Sequence, residues 1–469
     1  MNHALEPTDV DMLEMGRLVL DHVVDIVAKI DARPVDNVAN GNVLGPLVDE
    51  FLAPPPETPG DVRQLLDRLD RASLNAWEAS GAGNFAYIPS GGLFTSALAE
   101  FYARALNRFG GVAFVAPGLI AAEESVVRWL AHDVCGLPAG SGGLLMTGGS
   151  MANFSAVVTA RETRLGENIE QGTIYVTRHT HRSVAKAARM AGIRRDNVRE
   201  VPSTASLAMD MDAARAMIES DKRAGLRPFL IVGSAGTTDT GAIDPLTHMA
   251  KVAADHDLWC HVDGAYGGLF RLTERGRDRL SGMALADSVT LDPHKSLFLP
   301  FGTGALLVRD PRLLFAAHNE TGAYQQDYVS TGGLPDYALL GPELSREVRG
   351  LRVWLPLHVH GVAAFRAQLD EKLDLAELVY EKLRLVPSLE VPWRPMLSTV
   401  VFRVRALASG DADEATRRLL DCILADGRFS LSSTELDGRQ AIRICILANR
   451  THAGHVVELM DLITSAVPE

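Results

Sequence analysis

The chain has 469 residues, 47% of them hydrophobic and 22% charged, with 59 acidic against 46 basic side chains and a net charge of -13 at pH 7. That length suits two or three subdomains with large interiors, and an acidic balance spread along the chain argues against a nucleic-acid partner. No stretch approaches the ~20 apolar residues that span a bilayer, and the start lacks the basic and apolar regions of a secretory signal, so a cytoplasmic location without membrane contact is the default expectation.

In chain order, apolar periodicity over Leu13–Ile30 predicts an amphipathic helix, and the proline-rich run Leu52–Gly60 breaks it from a second helix around Val62–Leu69. From about Gly83 to Arg309, short apolar runs alternate with helical segments. The strand candidates are Leu144–Met146, Thr173–Val176, Phe229–Val232, Leu258–Val262, Ser288–Leu291 and Gly304–Val308. That alternation is the mark of a mainly parallel sheet covered on both faces. A long helical region from Leu344 towards Leu385, with a break near Gly361, connects to strands at Ser398–Val404 and Ala441–Ile446 and helices at Ala415–Ala425 and His455–Ser465. These spans divide the chain into a helical arm over 1–82, a large domain over 83–342, and a connector helix with a small α+β domain over 343–469.

Cys135, Cys260, Cys422 and Cys445 show no paired spacing, so neither a disulfide framework nor a zinc site is expected. The pairs His179/His181 and His358/His360 lack cysteine or carboxylate partners at ligand spacing, and no metal is expected there.

Four strand-end features carry chemistry. Lys295, in Asp292-Pro293-His294-Lys295, stands between two strand-like apolar runs; desolvation there would lower its amine pKa and make it nucleophilic, the alternative being a lysine that snorkels from a strand end. Gly148-Gly149-Ser150-Met151 follows a strand and opens a helix, which suits either an anion held on free amides or a plain tight turn. Asp263 ends the run Leu258–Val262, where a carboxylate points into the crevice that binds ligands in such sheets; it could hold the proton of a pyridine nitrogen or cap a helix. His181 follows the strand at Thr173–Val176 and could stack on a flat ring or act as a structural cap. Together they form a constellation suited to pyridoxal phosphate.

Gly149-Ser150-Met151-Ala152-Asn153, His181, His261-Val262-Asp263-Gly264-Ala265-Tyr266 and Asp292-Pro293-His294-Lys295 stand in the order and at roughly the spacings of the group II pyridoxal-phosphate-dependent amino-acid decarboxylases, which the chain resembles essentially end to end. Phe85–Ser90, Leu436-Asp437-Gly438-Arg439 and Ile442-Arg443-Ile444 extend the likeness. The resemblance implies a fold-type I α/β architecture with a mainly parallel seven-stranded sheet, an N-terminal helical arm and a small α+β C-terminal domain. It makes pyridoxal 5'-phosphate the cofactor, Lys295 its covalent anchor, Asp263 the partner of its ring nitrogen and His181 the stacked ring. Ser150, Met151 and His294 would hold the phosphate, Ala265 would lie against the ring, and Thr238 would stand near the cofactor.

The resemblance further implies that Tyr337, expected on a mobile loop, returns a proton after carbon dioxide leaves, and that a homodimer shares its active sites through the helical arm. Tyr87, Pro89, Ser90 and Phe114 are the expected substrate contacts, and their character favours an aromatic or otherwise apolar amino acid. Acidic and diamino substrates, oxygen-dependent aldehyde formation, and a cofactor-binding scaffold without turnover remain open alternatives. Two departures stand out: Gly81-Ala82 replaces the family's usual histidine-proline, and Asp292 replaces the asparagine often found there.

Overall fold

The computed structural model describes residues 5–36, 38, 41–89, 91–320, 332–405 and 411–467. Among these, five helices precede the first strand: α1 (Asp9–Ala28), α2 (Gly41–Leu52), α3 (Val62–Leu74), α4 (Phe94–Leu106) and α5 (Pro117–Arg128). Local chemistry sets their starts. Thr8 and Asp11 form a reciprocal capping box on α1, Asp61 accepts from the Gln64 amide at α3, and Pro117 opens α5 where a missing N–H costs nothing. The helix α2 has no counterpart in the sequence expectation, because its glycines and Pro46 read as loop.

Seven strands then build the main sheet: β1 (Gly142–Met146), β2 (Gly172–Thr177), β3 (Val198–Val201), β4 (Arg227–Ser234), β5 (Trp259–Gly264), β6 (Ser288–Leu291) and β7 (Gly304–Val308). Their spatial order is β1-β7-β6-β5-β4-β2-β3, with β3, β2, β4, β5 and β6 paired in parallel and β7 antiparallel to both β6 and β1. The carboxyl ends of all strands but β7 therefore open on one edge, joined there by the start of β7. The intervening helices are α6 (Gly149–Leu165), α7 (Arg182–Met190), α8 (Met211–Arg223), α9 (Leu246–His256), α10 (Glu274–Arg279) and the short α11 (Pro293–Ser296), with α12 (Pro311–His318) after β7. Ala160 and Ala187 of α6 and α7 bury one face with Phe229 and Val232, while Ile218 and Met249 of α8 and α9 bury the other with Ile231 and Val262. Such double coverage explains why these strands read as continuous apolar runs.

The helices α13 (Leu351–His360) and α14 (Val362–Leu383) are separated at Gly361, whose φ of +72° suits glycine. A second, antiparallel sheet combines β8 (Leu389–Glu390), β9 (Thr399–Val404), β10 (Ser432–Leu436) and β11 (Arg439–Cys445) in the order β10-β11-β9-β8, packed against α14, α15 (Ala412–Asp426) and α16 (Ala453–Ala466). The two sheets are tied by Tyr266, whose hydroxyl lies 2.8 Å from Ser398 Oγ and 2.9 Å from Thr399 Oγ1. No helix among the described residues is long and apolar enough to cross a membrane.

The expected helix from Leu344 begins later, at Leu351, because the preceding residues hold a buried charge brace. Arg346 pairs with Glu123 at 2.5 Å and donates to the Gly110 and Leu145 carbonyls, and Glu123 also accepts from the Gly350 amide at 2.9 Å. Gly350 is required by this approach, since a Cβ there would lie 2.4 Å from Glu123 Cα. Arg349 and Arg352 add pairs to Glu343, Glu347 and Glu100. Although burial works against its charge, Glu347 is held down to about 2 by a backbone hydrogen bond and by Arg349, Arg352 and Arg104. Removing one member of a fully buried pair strands the other charge, at roughly 3–5 kcal/mol. Glu123→Ala should therefore lower the unfolding free energy by about that amount in urea titration; a loss well under about 1 kcal/mol would show that the brace carries no stability.

Candidate active site

The opened sheet edge holds a cavity of about 360 Å³, lined from successive strand ends. The turn after β1 contributes Thr147 to Met151, the loop after β2 His181, the loop after β4 Ser234 and Gly236 to Thr238, β5 and its end Asp263, Ala265 and Tyr266, and the loop after β6 Asp292, His294 and Lys295. All eight residues expected to hold the cofactor line it: Ser150, Met151, His181, Thr238, Asp263, Ala265, His294 and Lys295.

Asp263 is 7% exposed and ends β5 as a bound acceptor rather than as a helix cap. It accepts from Asn153 Nδ2 at 2.8 Å and from the Ala265 amide at 3.1 Å. Asn153 is the centre of a buried relay. Its second amide hydrogen goes to Ser183 Oγ at 2.9 Å, and its carbonyl oxygen lies 3.1 Å from His261 Nε2. His261 Nδ1 is 2.8 Å from Ser288 Oγ, which accepts from Trp259 Nε1 at 2.8 Å. Burial pushes His261 down to about 4, so the ring is neutral near pH 7 and one consistent set of donors follows: Ser288 gives to Nδ1, Nε2–H gives to Asn153, and Asn153 gives to Asp263. The relay continues to His181, whose Nδ1 lies 2.7 Å from Ser183 Oγ and accepts from the Ser183 amide at 3.3 Å. His181 thus both caps α7 and presents its ring and Nε2 to the cavity.

Lys295 departs from the sequence expectation. Burial does work against its ammonium, but Asp292, with its Oδ2 at 2.9 Å from Lys295 Nζ, and Asp263 outweigh burial and hold the pKa above the ordinary lysine value. The lysine is therefore stored as an ion pair rather than as a ready neutral amine. His294 makes a 2.7 Å bond through Nδ1 to the Thr303 carbonyl, and burial lowers its pKa.

The donor set fits a planar phosphorylated aldehyde. A fixed carboxylate stands among the strand ends with the amine beside it, and the first turn of α6 offers the amides of Gly149 and Ser150, which take no partner in the helix ladder.

Tyr337 is corrected by the structure. It lies in a short 3₁₀ turn, fully buried, with its hydroxyl donating to Glu124 Oε2 at 3.0 Å and the Arg346 guanidinium 4.7 Å above its ring. Its surroundings are those of a packed core residue, and it does not line the cavity. Tyr324 and Tyr328 of the same connection fall in 321–331, outside the described residues. Of the expected substrate contacts, Tyr87 is 64% exposed and packs edge-on against Trp77, Pro89 is buried, Phe114 is 41% exposed, and none of the three lines the cavity; Ser90 lies outside the described residues. The four histidines at His-x-His spacing turn to separate partners: His179 towards Asp239, His181 to Ser183, His358 to the Trp354 carbonyl and His360 to Thr95.

Two positioning residues went unassigned in the sequence. Asn153 lay inside a quoted motif but had no role until the fold brought β5 beside α6. Arg443, 3% exposed on β11, donates to the carbonyls of Thr238, Asp239 and Tyr87 and to Ser432 Oγ, fixing the cavity rim from the second sheet.

The conserved domain of pyridoxal-dependent decarboxylases matches residues 60–405. Across its whole length the chain is 32% identical to an aromatic-L-amino-acid decarboxylase of Bacillus atrophaeus, covering 98% of that protein. It is 28% identical to a phenylacetaldehyde synthase of Petunia hybrida, over 94% of this chain and 91% of the relative. A crystal structure of Oryza sativa TDC with PLP and tryptamine superposes with a TM-score of 0.93 at 26% identity, over 100% of this chain and 99% of that one.

Two substitutions test the geometry. Asn153→Ala leaves Asp263 one donor short, which costs about 1–3 kcal/mol, so the dissociation constant for pyridoxal phosphate should rise about fivefold or more. An unchanged constant by fluorescence titration would remove Asn153 from the site. Tyr337→Phe should cost about 1 kcal/mol of stability and leave the ratio of reaction products unaltered; a shift in that ratio would return Tyr337 to the chemistry, and the same product measurement on Tyr324→Phe and Tyr328→Phe serves as the comparison.

Proposed function

Since the chain belongs to the pyridoxal-dependent decarboxylase family, carboxy-lyases that work with pyridoxal phosphate, we propose that it converts an L-amino acid with an aromatic or otherwise apolar side chain to the amine and carbon dioxide. The carrying observation is the charge inventory of the cavity. Among its described lining residues there is no arginine, and its one ammonium, Lys295, is already paired with Asp292. A substrate with a second carboxylate needs a cationic anchor, and Arg108, the candidate nearest in sequence, is exposed and outside the lining. Likeness to the Bacillus enzyme over the full chain supports the same side-chain class.

The bound cofactor supplies a protonated ring that takes up the electron pair left when the carboxylate departs. In this reading Asp263 would keep the proton on the ring nitrogen, and the Asn153 relay keeps Asp263 aimed. Lys295 anchors the cofactor covalently, His181 lays its ring along one face, and Ala265 leaves room on the other. The amides at the start of α6, together with Ser150 and Met151, would hold the phosphate beside His294, while Thr238 is fixed by Arg443 at the rim.

A homodimer completes the reading. No residue of α1 is buried, and it shows Leu13, Leu20 and Val24 uncovered, while α4 shows Leu98, Phe101 and Tyr102. Apolar faces of this extent need cover, and a second copy would supply it. Aldehyde formation is the second reading, motivated by the Petunia relative.

One incubation decides between the readings: cofactor-loaded protein with the standard amino acids plus dopa, ornithine and 2,4-diaminobutyrate, measuring amine, aldehyde and carbon dioxide together. Amine and carbon dioxide in equal amounts from aromatic substrates is the expected result. Aldehyde without amine would replace it by the second reading, and turnover restricted to glutamate, aspartate or diaminobutyrate would overturn the substrate class. Sedimentation should give twice the chain mass of 50.6 kDa; a fully active monomer would refute the shared site.

A further inference from the structure

A second hollow, of about 660 Å³, runs beside α7 and meets the cavity at Ser150 and His181, which stand in the walls of both. Apart from that histidine, every charged residue along it is basic: Arg182, Lys186 and Arg189 of α7, and Arg195 in the turn before β3. Positions 182, 186 and 189 are four and three apart, so their side chains share one face of the helix. All four residues are exposed, and among the described residues none has a carboxylate within 4.0 Å. Asp196 and Glu200, the next acids along the chain, are exposed too but take no part in the lining.

Such a face has a cost that nothing local offsets. Elsewhere helical arginines sit beside acids of their own helix: Arg128 pairs with Glu124 on α5, and Arg417 and Arg418 pair with Glu414 on α15. The segment Arg182–Met190 contains no acid at all. Arg182 and Lys186 repel each other at four-residue spacing, and Arg182 occupies the first turn, where the helix dipole favours an anion instead. This positive face stands on a chain whose net charge is -13. An anion in the groove would offset all of these terms together.

The two molecules that must reach the cavity differ in charge. An amino acid with an apolar side chain is a zwitterion of zero net charge, so the field of the groove does not draw it in. A phosphate monoester carries roughly -1.5 to -2 charge at pH 7. The chain as a whole repels that anion, and only a local excess of cations reverses the sign of the force. We propose that the basic face of α7 is a capture groove for the anionic cofactor, gathering pyridoxal phosphate by its phosphate and delivering it to Ser150 in the first turn of α6. No bond is made or broken in the groove. It raises the local concentration of the anion, an effect worth about 10- to 10³-fold in association rate at low salt. The inference rests on the cavity being the cofactor's destination and is independent of the substrate's side chain.

Stopped-flow mixing of the full chain, stripped of cofactor, with pyridoxal phosphate tests this from about 0.01 M to about 1 M salt, where the screening length shrinks from roughly 30 Å to 3 Å. The wild-type association rate should fall about tenfold or more over that range. Lys186→Glu with Arg189→Glu should slow association about tenfold or more at low salt and remove or reverse the slope, while the release rate stays the same. Lys186→Gln with Arg189→Gln should give an intermediate slope and serves if the charge-reversed pair does not fold. Arg223→Glu with Lys251→Glu makes the same change in net charge on α8 and α9, across the sheet, and should keep the wild-type slope. Pyridoxal, which lacks the phosphate, should associate at a rate that neither salt nor the groove substitutions alter. A wild-type rate that rises with salt, as net repulsion alone gives, overturns the proposal. So does an unchanged slope in the groove variants, as competition by salt anions for the phosphate site alone gives. Groove variants that sediment differently at an unchanged association rate would assign the face to a second copy and overturn it too. Borohydride reduction separates the two levels of inference: cofactor fixed on Lys295 at a salt-independent rate removes only the groove, whereas no fixation on Lys295 removes the cofactor site as well.

Discussion

Everything at the sheet edge depends on holding one buried carboxylate in place where water cannot help. Taking a charge out of water costs several kcal/mol unless donors and a counter-charge replace the solvent. Asp263 receives them from three directions: an amide of its own turn, the Asn153 side chain reaching across from α6, and the field of Lys295. Asn153 can face Asp263 only because its other bonds to His261 and Ser183 leave it no alternative orientation, and those partners belong to β5 and α7. The bonding that begins with one acid thus fixes the tautomers of His261 and His181 and the packing of three elements against one another, while burial, against the pull of Asp263, keeps His261 neutral.

The scaffold separates that delicate centre from the forces that hold the chain together. The ion pairs around Glu123 and Arg346 lie beneath β1, behind the cavity, and anchor the stretch before α13 to α5. Tyr337 belongs to this brace, with its ring under Arg346 and its hydroxyl on Glu124. Charges are tolerated there because carboxylates and carbonyls surround the guanidiniums in fixed geometry.

What could be read from the residues alone was what is local. Continuous apolar runs gave away the buried strands, and a lysine, an acid, a histidine and a glycine turn at successive strand ends pointed to one chemistry. The edge strand β3 escaped because Arg199 and Glu200 occupy its middle, and β10 because Ser432-Ser433-Thr434-Glu435 has almost no apolar content; both pair at sheet margins where burial demands less. Asn153 and Arg443 were invisible as functional residues since the partners that give them a role, Asp263 for Asn153 and Thr238 for Arg443, are more than a hundred positions away. The sign of the Lys295 shift was misread for the same kind of reason. Desolvation can be inferred from neighbours in sequence, but whether a neighbouring aspartate folds back onto the amine depends on a turn geometry that the order Asp292-Pro293-His294-Lys295 does not specify. Tyr337 shows the opposite hazard, since glycine and proline nearby suggested a loop while its own side chain was committed to the core.

Arg443 gives the molecule a division that bears on how it can change over generations. The floor of the cavity is written into one sheet, and the rim at Tyr87, Thr238 and Asp239 is clamped from another by a single guanidinium that grips only main-chain carbonyls at those three positions. The clamp takes its hydrogen bonds at these positions from the main chain, and its charge acts besides on the Asp239 carboxylate. Replacements at Tyr87 and Thr238 can therefore accumulate without removing its grip, whereas Asp239 is tied to it by charge.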